Sequence, residues 1–219
     1  MKKSLVAGTM LAAAVASVAS AGFTGYSVQR TVTAGGNIQY QVFANWDQSG
    51  LVFLNAFNFA TQSGTMNARH QDNNTADGDP GTWQAGFAVS SADRGEDSWV
   101  TASGLASSSG WGTALDPGFA GLGVVNDINN GAGWYDADPS TPNVIAAGGT
   151  QGGYRILLAQ IVRNGNDADA LATFYLKNSF KLAGTTTALF SEGTFTIGVP
   201  APGAMALLGL AGMAGRRRR

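Results

Sequence analysis

Apolar and polar side chains alternate with a period of two along much of the chain, which is the pattern of a half-buried β-strand. Tyr26 and Val28 alternate with polar neighbours, and a second alternating run begins at Ile38. Between the two runs, residues 34–37 read Ala-Gly-Gly-Asn, a sequence typical of a tight turn. The pattern therefore predicts a β-hairpin over residues 25–44.

Residues 51–59 are apolar in both alternating sets except at Asn55 and Asn58, which predicts a central strand buried on both faces. Further strands are predicted at residues 154–162, 171–182 and 186–199, and the segment 171–182 is also compatible with a helix. For the central strand, we expect one face to carry Leu51, Phe53, Phe57 and Phe59 and the other to carry Val52, Leu54 and Ala56.

The number and shortness of these runs indicate the fold class. No segment after residue 21 keeps a 3.6-residue period, so we expect an all-β fold, an antiparallel β-sandwich of jelly-roll-like type over residues 22–198. Trp83 and Trp99 lie in alternating runs and are predicted to be buried. The polar segment 69–81 predicts a solvated loop, and residues 103–150, rich in Gly, Ser and Asp, predict long loops with short strands.

The first 21 residues have the pattern of a signal peptide with a short signal helix. Lys2 and Lys3 form a basic start, residues 5–18 are uncharged and apolar, and Ala19 and Ala21 are the small residues that signal peptidase selects. The apolar run is shorter than the ~20 residues that a membrane-spanning helix needs. We expect signal peptidase to cleave after Ala21, so that the protein is exported.

Residues 199–219 form a second candidate processing signal. Pro200 and Pro202 prevent a continuous helix at its start, and the uncharged residues 204–215 are compatible with a short apolar helix. Twelve helical residues reach only ~18 Å, against a hydrocarbon core of ~30 Å. The simpler alternative is a single-pass anchor that spans the membrane poorly. The positive-inside rule keeps on the cytoplasmic side the four residues that end the chain, Arg216, Arg217, Arg218 and Arg219.

A Pro-x-Pro motif, an apolar helix and a terminal arginine cluster, on a chain with a signal peptide, resemble the PEP-CTERM sorting signal. Ala201 stands where the family name implies Glu. Members of this family are exported proteins of Gram-negative bacteria that a membrane-embedded exosortase processes at the tail, and many are associated with extracellular polymeric matrix. The resemblance implies an exosortase-like partner. The matching residues are Val199, Pro200 and Pro202 for the motif, 204–214 for the helix and 216–219 for the basic end.

Composition and charge exclude several kinds of chemistry. The chain has no Cys and one His, so thiolate catalysis, disulfides and zinc sites built on Cys or on two His residues are excluded. Between residues 22 and 215, seven basic residues stand against 14 acidic ones, a net charge of −7. An acidic domain without a basic patch repels phosphates, so we expect no nucleic-acid partner.

The main candidate for metal binding is one acidic loop, and residues 127–131 and 164–169 are weaker candidates of similar composition. Asp72, Asn74, Asp77 and Asp79 offer the hard oxygen ligands that calcium prefers, although the spacing does not fit an EF-hand. The alternative is that Asn, Asp and Gly simply form turns there. We expect no resident cofactor, and calcium at residues 72–79 is the main candidate for a bound ion.

Signals for catalysis are weak. No Gly-x-Ser-x-Gly elbow occurs, and His70 lies in the polar loop. Glycoside hydrolysis needs two carboxyl groups ~5–10 Å apart, and nothing in the sequence pairs Glu96 with Glu192. The charged residues 93–97 are expected on an exposed turn. We therefore expect a protein that is not an enzyme.

Carbohydrate binding is the stronger alternative function. Tryptophan rings stack on sugars when exposed, and Trp111 and Trp134 lie in Gly-rich surroundings. The sequence therefore predicts a non-enzymatic, exported cell-surface or extracellular-matrix protein, tethered to the membrane by its tail until it is processed. The alternatives are a lectin-like module for extracellular polysaccharide, assisted by calcium, and a surface hydrolase.

Overall fold

The computed structural model describes residues 22–69, 83, 95–102, 113–119, 127–137, 145–146, 153–165 and 170–198. Two antiparallel β-sheets make up almost all of this part of the chain, and their inner faces enclose one main apolar core. The predicted all-β sandwich is therefore confirmed. A single 3₁₀ turn is described, at Pro117–Phe119.

The first sheet's strands are β1 (Phe23–Val32), β2 (Ile38–Trp46), β4 (Trp99–Val100), β7 (Ile145–Ala146) and β8 (Tyr154–Arg163). The second sheet's strands are β3 (Leu51–Ser63), β5 (Thr113–Leu115), β6 (Trp134–Asp136), β9 (Ala172–Leu182) and β10 (Leu189–Ile197). The first sheet runs in the order β1, β2, β8 and β4, and β7 also pairs with β8. The second sheet runs in the order β10, β9, β3, β6 and β5.

The predicted hairpin is β1 paired with β2 around a turn at residues 33–37. The amide of Thr33 donates to the carbonyl of Asn37 at 2.9 Å, and Gly36 takes a φ of 81° that a side chain would disfavour. The segment 171–182 is a strand, β9, because its apolar residues alternate and both of its edges pair with neighbouring strands. That pairing decides between the helix and the strand that the local pattern allowed.

Aromatic rings fill the space between the sheets. Trp46 on β2 packs against Phe23, Phe53 and Phe180, with ring centroids 5.4–6.3 Å apart, and it is 1% exposed. The rings come from both sheets because inward positions alternate along each strand. Each such side chain stabilises the fold by ~1.5–3 kcal/mol through its burial. Trp83 and Trp99 are buried as predicted.

The faces predicted for β3 hold at Leu51, Phe53 and Phe59 but are wrong at Ala56 and Phe57. The pairing register with β9 shifts between Phe53 and Asn55 and again between Phe57 and Ala60, and Asn58 has a φ of 54°. Each such bulge inserts an extra residue and exchanges the two faces of the strand, so the second shift reverses the exchange made by the first. Phe59 accordingly points into the core, whereas Phe57 lies on the outer face and contacts another ring there, Phe190.

Arg163 closes one end of the sandwich. Its side chain is 0% exposed, and it donates to the backbone carbonyls of Met66, Thr65 and Ala170. These contacts tie the chain that leaves β3 to the chain that enters β9. A guanidinium group suits this position because its fork of donors can serve several carbonyls at once.

Residues 93–97 were expected on an exposed turn, and the described part of that segment corrects this expectation. Asp97 is 6% exposed, and the Glu96 side chain is 15% exposed. Glu96 accepts hydrogen bonds from Gly35 N at 2.6 Å, from Thr33 Oγ1 at 2.8 Å and from Asn37 Nδ2 at 2.8 Å. Glu96 therefore fastens the β1–β2 turn to a segment some 60 residues away in sequence.

The electrostatics of Glu96 follow from these contacts. Desolvation alone would raise its pKa, but the bonds from Asn37, Gly35 and Thr33, with the positive charge of Arg69, outweigh it and lower the pKa. Glu96 is thus held in its charged form.

Candidate functional site

Trp134, predicted as an exposed platform for sugar, is a core residue, so that prediction is wrong. It is 2% exposed, its Nε1 donates to the carbonyl of Thr101 at 3.0 Å, and its ring packs against Phe119. The reason is the two-residue alternation of β6, which turns Trp134 inward and Tyr135 outward. Trp111 lies outside the described residues.

The other predicted site residues also lie outside the described part of the chain. Within the residues that the structure describes, no group of three or more His, Cys, Asp or Glu side chains is placed to hold a metal ion. The described residues also contain no helix with the length and apolarity needed to cross a bilayer. The residues outside are His70, the calcium candidates Asp72, Asn74, Asp77 and Asp79, the signal residues Ala19 and Ala21, and the sorting residues Val199, Pro200, Pro202 and Arg216–219.

A different surface presents exposed rings: the outer side of the second sheet. We call it the aromatic face and define it by Phe57, Tyr135, Tyr175 and Phe190. Phe190 is 71% exposed and Tyr135 is 45% exposed, although most large apolar side chains of the described chain are buried. On the corresponding side of the first sheet, by contrast, Phe43, Trp99 and Leu157 form a buried cluster.

Strand pairing sets the geometry of the aromatic face. Phe190 on β10 lies opposite Ser179, which lies opposite Asn55, which lies opposite Tyr135. Neighbouring strands are ~4.8 Å apart, so the backbones that carry the two rings lie about 14 Å apart across three strand spacings. Between them, Ser179 Oγ donates to Asn55 Oδ1 at 2.7 Å. The row is therefore an amide and a hydroxyl flanked by two rings.

The next row along the strands adds a ring and two charges. Phe57 lies opposite Lys177, which lies opposite Glu192, and the rings of Phe57 and Phe190 meet edge to face at 6.3 Å. Glu192 Oε2 accepts a hydrogen bond from Tyr175 Oη at 2.7 Å and faces Lys177 Nζ at 3.1 Å. The polar groups of this surface are thus oriented by one another.

Hydrogen bonding also shifts the pKa values of these groups. The bonds from Tyr175 and Lys177 lower the pKa of Glu192. The bond to Glu192 raises the pKa of Tyr175 and that of Lys177. At neutral pH the pair is one anion and one cation, so its net charge is zero.

A pocket with a mixed polar and apolar lining lies beside β1 and holds about 530 Å³. Tyr26, Ser27, Asn45 and Asp47 are among its lining residues, and burial raises the pKa of the Tyr26 phenol. Trp46 also lines the pocket, but its Nε1 is buried away from solvent and has no hydrogen-bond partner among the described residues. That N–H group is therefore out of reach for a molecule in the pocket.

Comparisons with protein families, with curated proteins and with solved structures find no match to this chain. The aromatic face was missed by sequence reasoning because tryptophans alone were considered as platforms. A signal was present: Phe190 shares its alternating set with Glu192 and Thr194, and Tyr175 shares its set with Lys177. An aromatic residue in the polar set of a strand points away from the core.

Proposed function

We propose that this chain is an exported bacterial cell-surface or extracellular-matrix protein that is not an enzyme and is sorted through its C-terminal tail. One observation carries the proposal. β1 begins at Phe23, two residues after Ala21, and β10 ends at Ile197, two residues before Val199. Cleavage at both expected sites would leave every described strand intact, so a folded sandwich would remain to be displayed outside the cell.

Contacts at the N-terminal end support this proposal. Gly22, which would begin the processed protein, donates from its backbone nitrogen to Asp47 Oδ1 at 3.0 Å. Cleavage would convert the amide donor into an ammonium group facing the same carboxylate, which strengthens a hydrogen bond.

Contacts at the C-terminal end fix where the tail leaves the sandwich. Gly198 has a φ of 94°, and a β-carbon there would collide with the backbone of Ala170. Phe23 and Phe180 both pack against Trp46, and Phe180 pairs with Leu189 at the start of β10, so Phe23 and Ile197 lie toward opposite ends of the sandwich. A domain held by its tail would therefore present the end that carries Phe23 away from the membrane.

Intact-mass spectrometry of the protein recovered from its native cells tests the proposal. We expect a species that begins at Gly22 and ends near residues 199–202, alone or with an added carbohydrate or lipid. A mass running from Gly22 through Arg219 would contradict tail processing and leave the tail as a short anchor.

Two tail variants make the same test specific. Replacing both prolines, Pro200→Ala with Pro202→Ala, should leave the full C-terminal mass because the extended motif is lost. Ala201→Glu, which restores the residue implied by the family name, is the matched control and should be processed at least as well as the wild type. Equal processing of all three proteins would show that the motif is not what the enzyme reads.

A further inference from the structure

We propose that the aromatic face binds a neutral polysaccharide. A neutral polysaccharide would be the partner of the exported domain. This rests on the proposed function only in that export brings the protein and the polysaccharide together outside the cell. The binding surface would be the outer side of the second sheet, with Phe190 and Tyr135 as apolar platforms and Asn55 and Glu192 as polar contacts.

The exposed rings are the first argument. Single exposed apolar side chains are common, but a group of them on one sheet face indicates a binding surface. Phe190 and Tyr135 stand in one cross-strand row, and Phe57 contacts Phe190 from the adjacent row. Sugar rings present apolar C–H groups on one side, which pack against aromatic rings. A separation of about 14 Å between the two platforms suits a chain of sugars better than a single one.

The polar groups between the rings are the second argument. Sugars carry hydroxyl groups around their edge, so their binding surfaces need donors and acceptors beside the platforms. Asn55 is half-buried between the platforms, and Glu192 is held in place through Oε2 by Tyr175 and Lys177. Among the described residues, no hydrogen bond or ion pair reaches Oε1 of Glu192, which leaves this oxygen able to accept one from a hydroxyl.

The charge of the domain favours a neutral polysaccharide over an anionic polymer or a second copy of this chain. The net charge of −7 between residues 22 and 215 repels an anionic polymer, and it also opposes a second copy of this chain. On the face itself, Lys177 and Glu192 cancel at a distance of 3.1 Å. A locally neutral, amphipathic surface on an acidic domain therefore favours an uncharged partner that combines apolar faces with hydroxyl groups.

The position of the face fits this role. Phe190 is seven residues before Ile197 on β10, which places it about 24 Å from the point where the tail leaves the sandwich. In the tethered protein, the platforms would be held away from the membrane surface.

Co-sedimentation of the full-length protein, in mild detergent, with insoluble polysaccharides tests the proposal. The probes are cellulose, chitin and starch as neutral polymers, and calcium alginate gel as an anionic one. We expect retention on at least one neutral polymer and none on alginate. The double variant Phe190→Ala with Tyr135→Ala should bind about tenfold more weakly, the change that ~1.4 kcal/mol of lost contact produces.

Two further variants control for the loss of apolar area. Val32→Ala changes another exposed apolar side chain, 64% exposed on the first sheet, and should bind like the wild type. Phe190→Leu keeps an apolar side chain but removes the ring, so it should bind more weakly than the wild type. If the alanine variant unfolds at a different temperature from the wild type, Phe190→Leu is used in its place.

Several outcomes would overturn the inference. These are no retention on any neutral polymer, retention on alginate alone, or equal binding by the ring variants and the Val32→Ala control. A wild-type protein that dimerises in size-exclusion chromatography, and that Phe190→Ala converts to a monomer, would assign the face to a second copy instead. Failure here with normal tail processing by mass spectrometry would leave the proposed function standing.

Discussion

Removing the carboxylate of Glu96 should destabilise the fold, because this one group joins the β1–β2 turn to the segment before β4. It accepts three hydrogen bonds, from Gly35, Thr33 and Asn37, at 2.6–2.8 Å, and it lies 3.6 Å from the Arg69 guanidinium. A hydrogen bond to a charged group is worth ~1.5–3 kcal/mol, but water replaces part of each bond at a turn. We therefore expect Glu96→Gln to lower the free energy of unfolding by about 1–3 kcal/mol.

The effect should depend on pH in a defined direction. The folded pKa of Glu96 is below its unfolded value, so its contribution is fully present above the unfolded pKa of ~4.3. That contribution is lost as the pH falls through the lower folded pKa. Thermal unfolding followed by circular dichroism, at pH 7 and at steps down to pH 3, measures it. A loss of 1 kcal/mol corresponds to a shift in Tm of ~2–4 °C for a domain of this size.

Glu192→Gln is the matched control. Its carboxylate also has a lowered pKa, but its side chain is 58% exposed and its partners lie on the open face of the second sheet. Solvent screens such contacts, so the Tm should change much less. The reasoning would be refuted by a Glu96→Gln protein as stable as the wild type, or by a difference in Tm that stays constant from pH 7 to pH 3.

Three further predictions concern buried or terminal contacts. Trp134→Phe should cost about 1 kcal/mol more than Trp46→Phe in urea unfolding, because Trp134 Nε1 donates a hydrogen bond and Trp46 Nε1 has no partner in the described part of the chain. Equal costs would contradict this. Arg163→Lys should lower the free energy of unfolding by about 3 kcal/mol, since a single ammonium cannot reproduce the donors given to three carbonyls, and a neutral result would contradict their role. In protein that begins at Gly22, Asp47→Asn should lower the Tm by ~1–3 °C at pH 6 and by less at pH 10. The effect falls because the α-amino group of Gly22 (pKa ~7.7–8.0) has lost its positive charge at pH 10. A decrease in Tm that is the same at both pH values would exclude the ammonium contact.

Much of the fold could be predicted because strand formation leaves a local record. The alternation at Tyr26, Val28 and Ile38 placed the β1–β2 hairpin, and the Gly-rich turn between the strands marked where the chain reverses. The same alternation predicted β8, β9 and β10. For β9 it was compatible with a helix as well, and only pairing with both neighbours decided for the strand.

The candidate site was harder to predict, because a platform for a ligand depends on which side of a sheet a ring occupies. In β6 the sequence does not show which of the adjacent rings, Trp134 or Tyr135, faces the core. A strand of three residues is too short for alternation to distinguish the inner face from the outer one. In the folded protein the larger ring, that of Trp134, is buried in the core, and Tyr135 is exposed.

The sequence by itself determined the all-β class, the positions of the long strands and the places where the chain turns, because each depends on residues close together in the chain. Only the tertiary structure decided which side chains of β3 are buried between Phe53 and Phe59, since two bulges exchange the two faces there and then restore them. It alone also brought Glu96 to the turn at Gly35 and set Phe190 in one row with Tyr135. These arrangements depend on the register between distant strands, and a shift of one residue in that register turns every following side chain to the other side of the sheet.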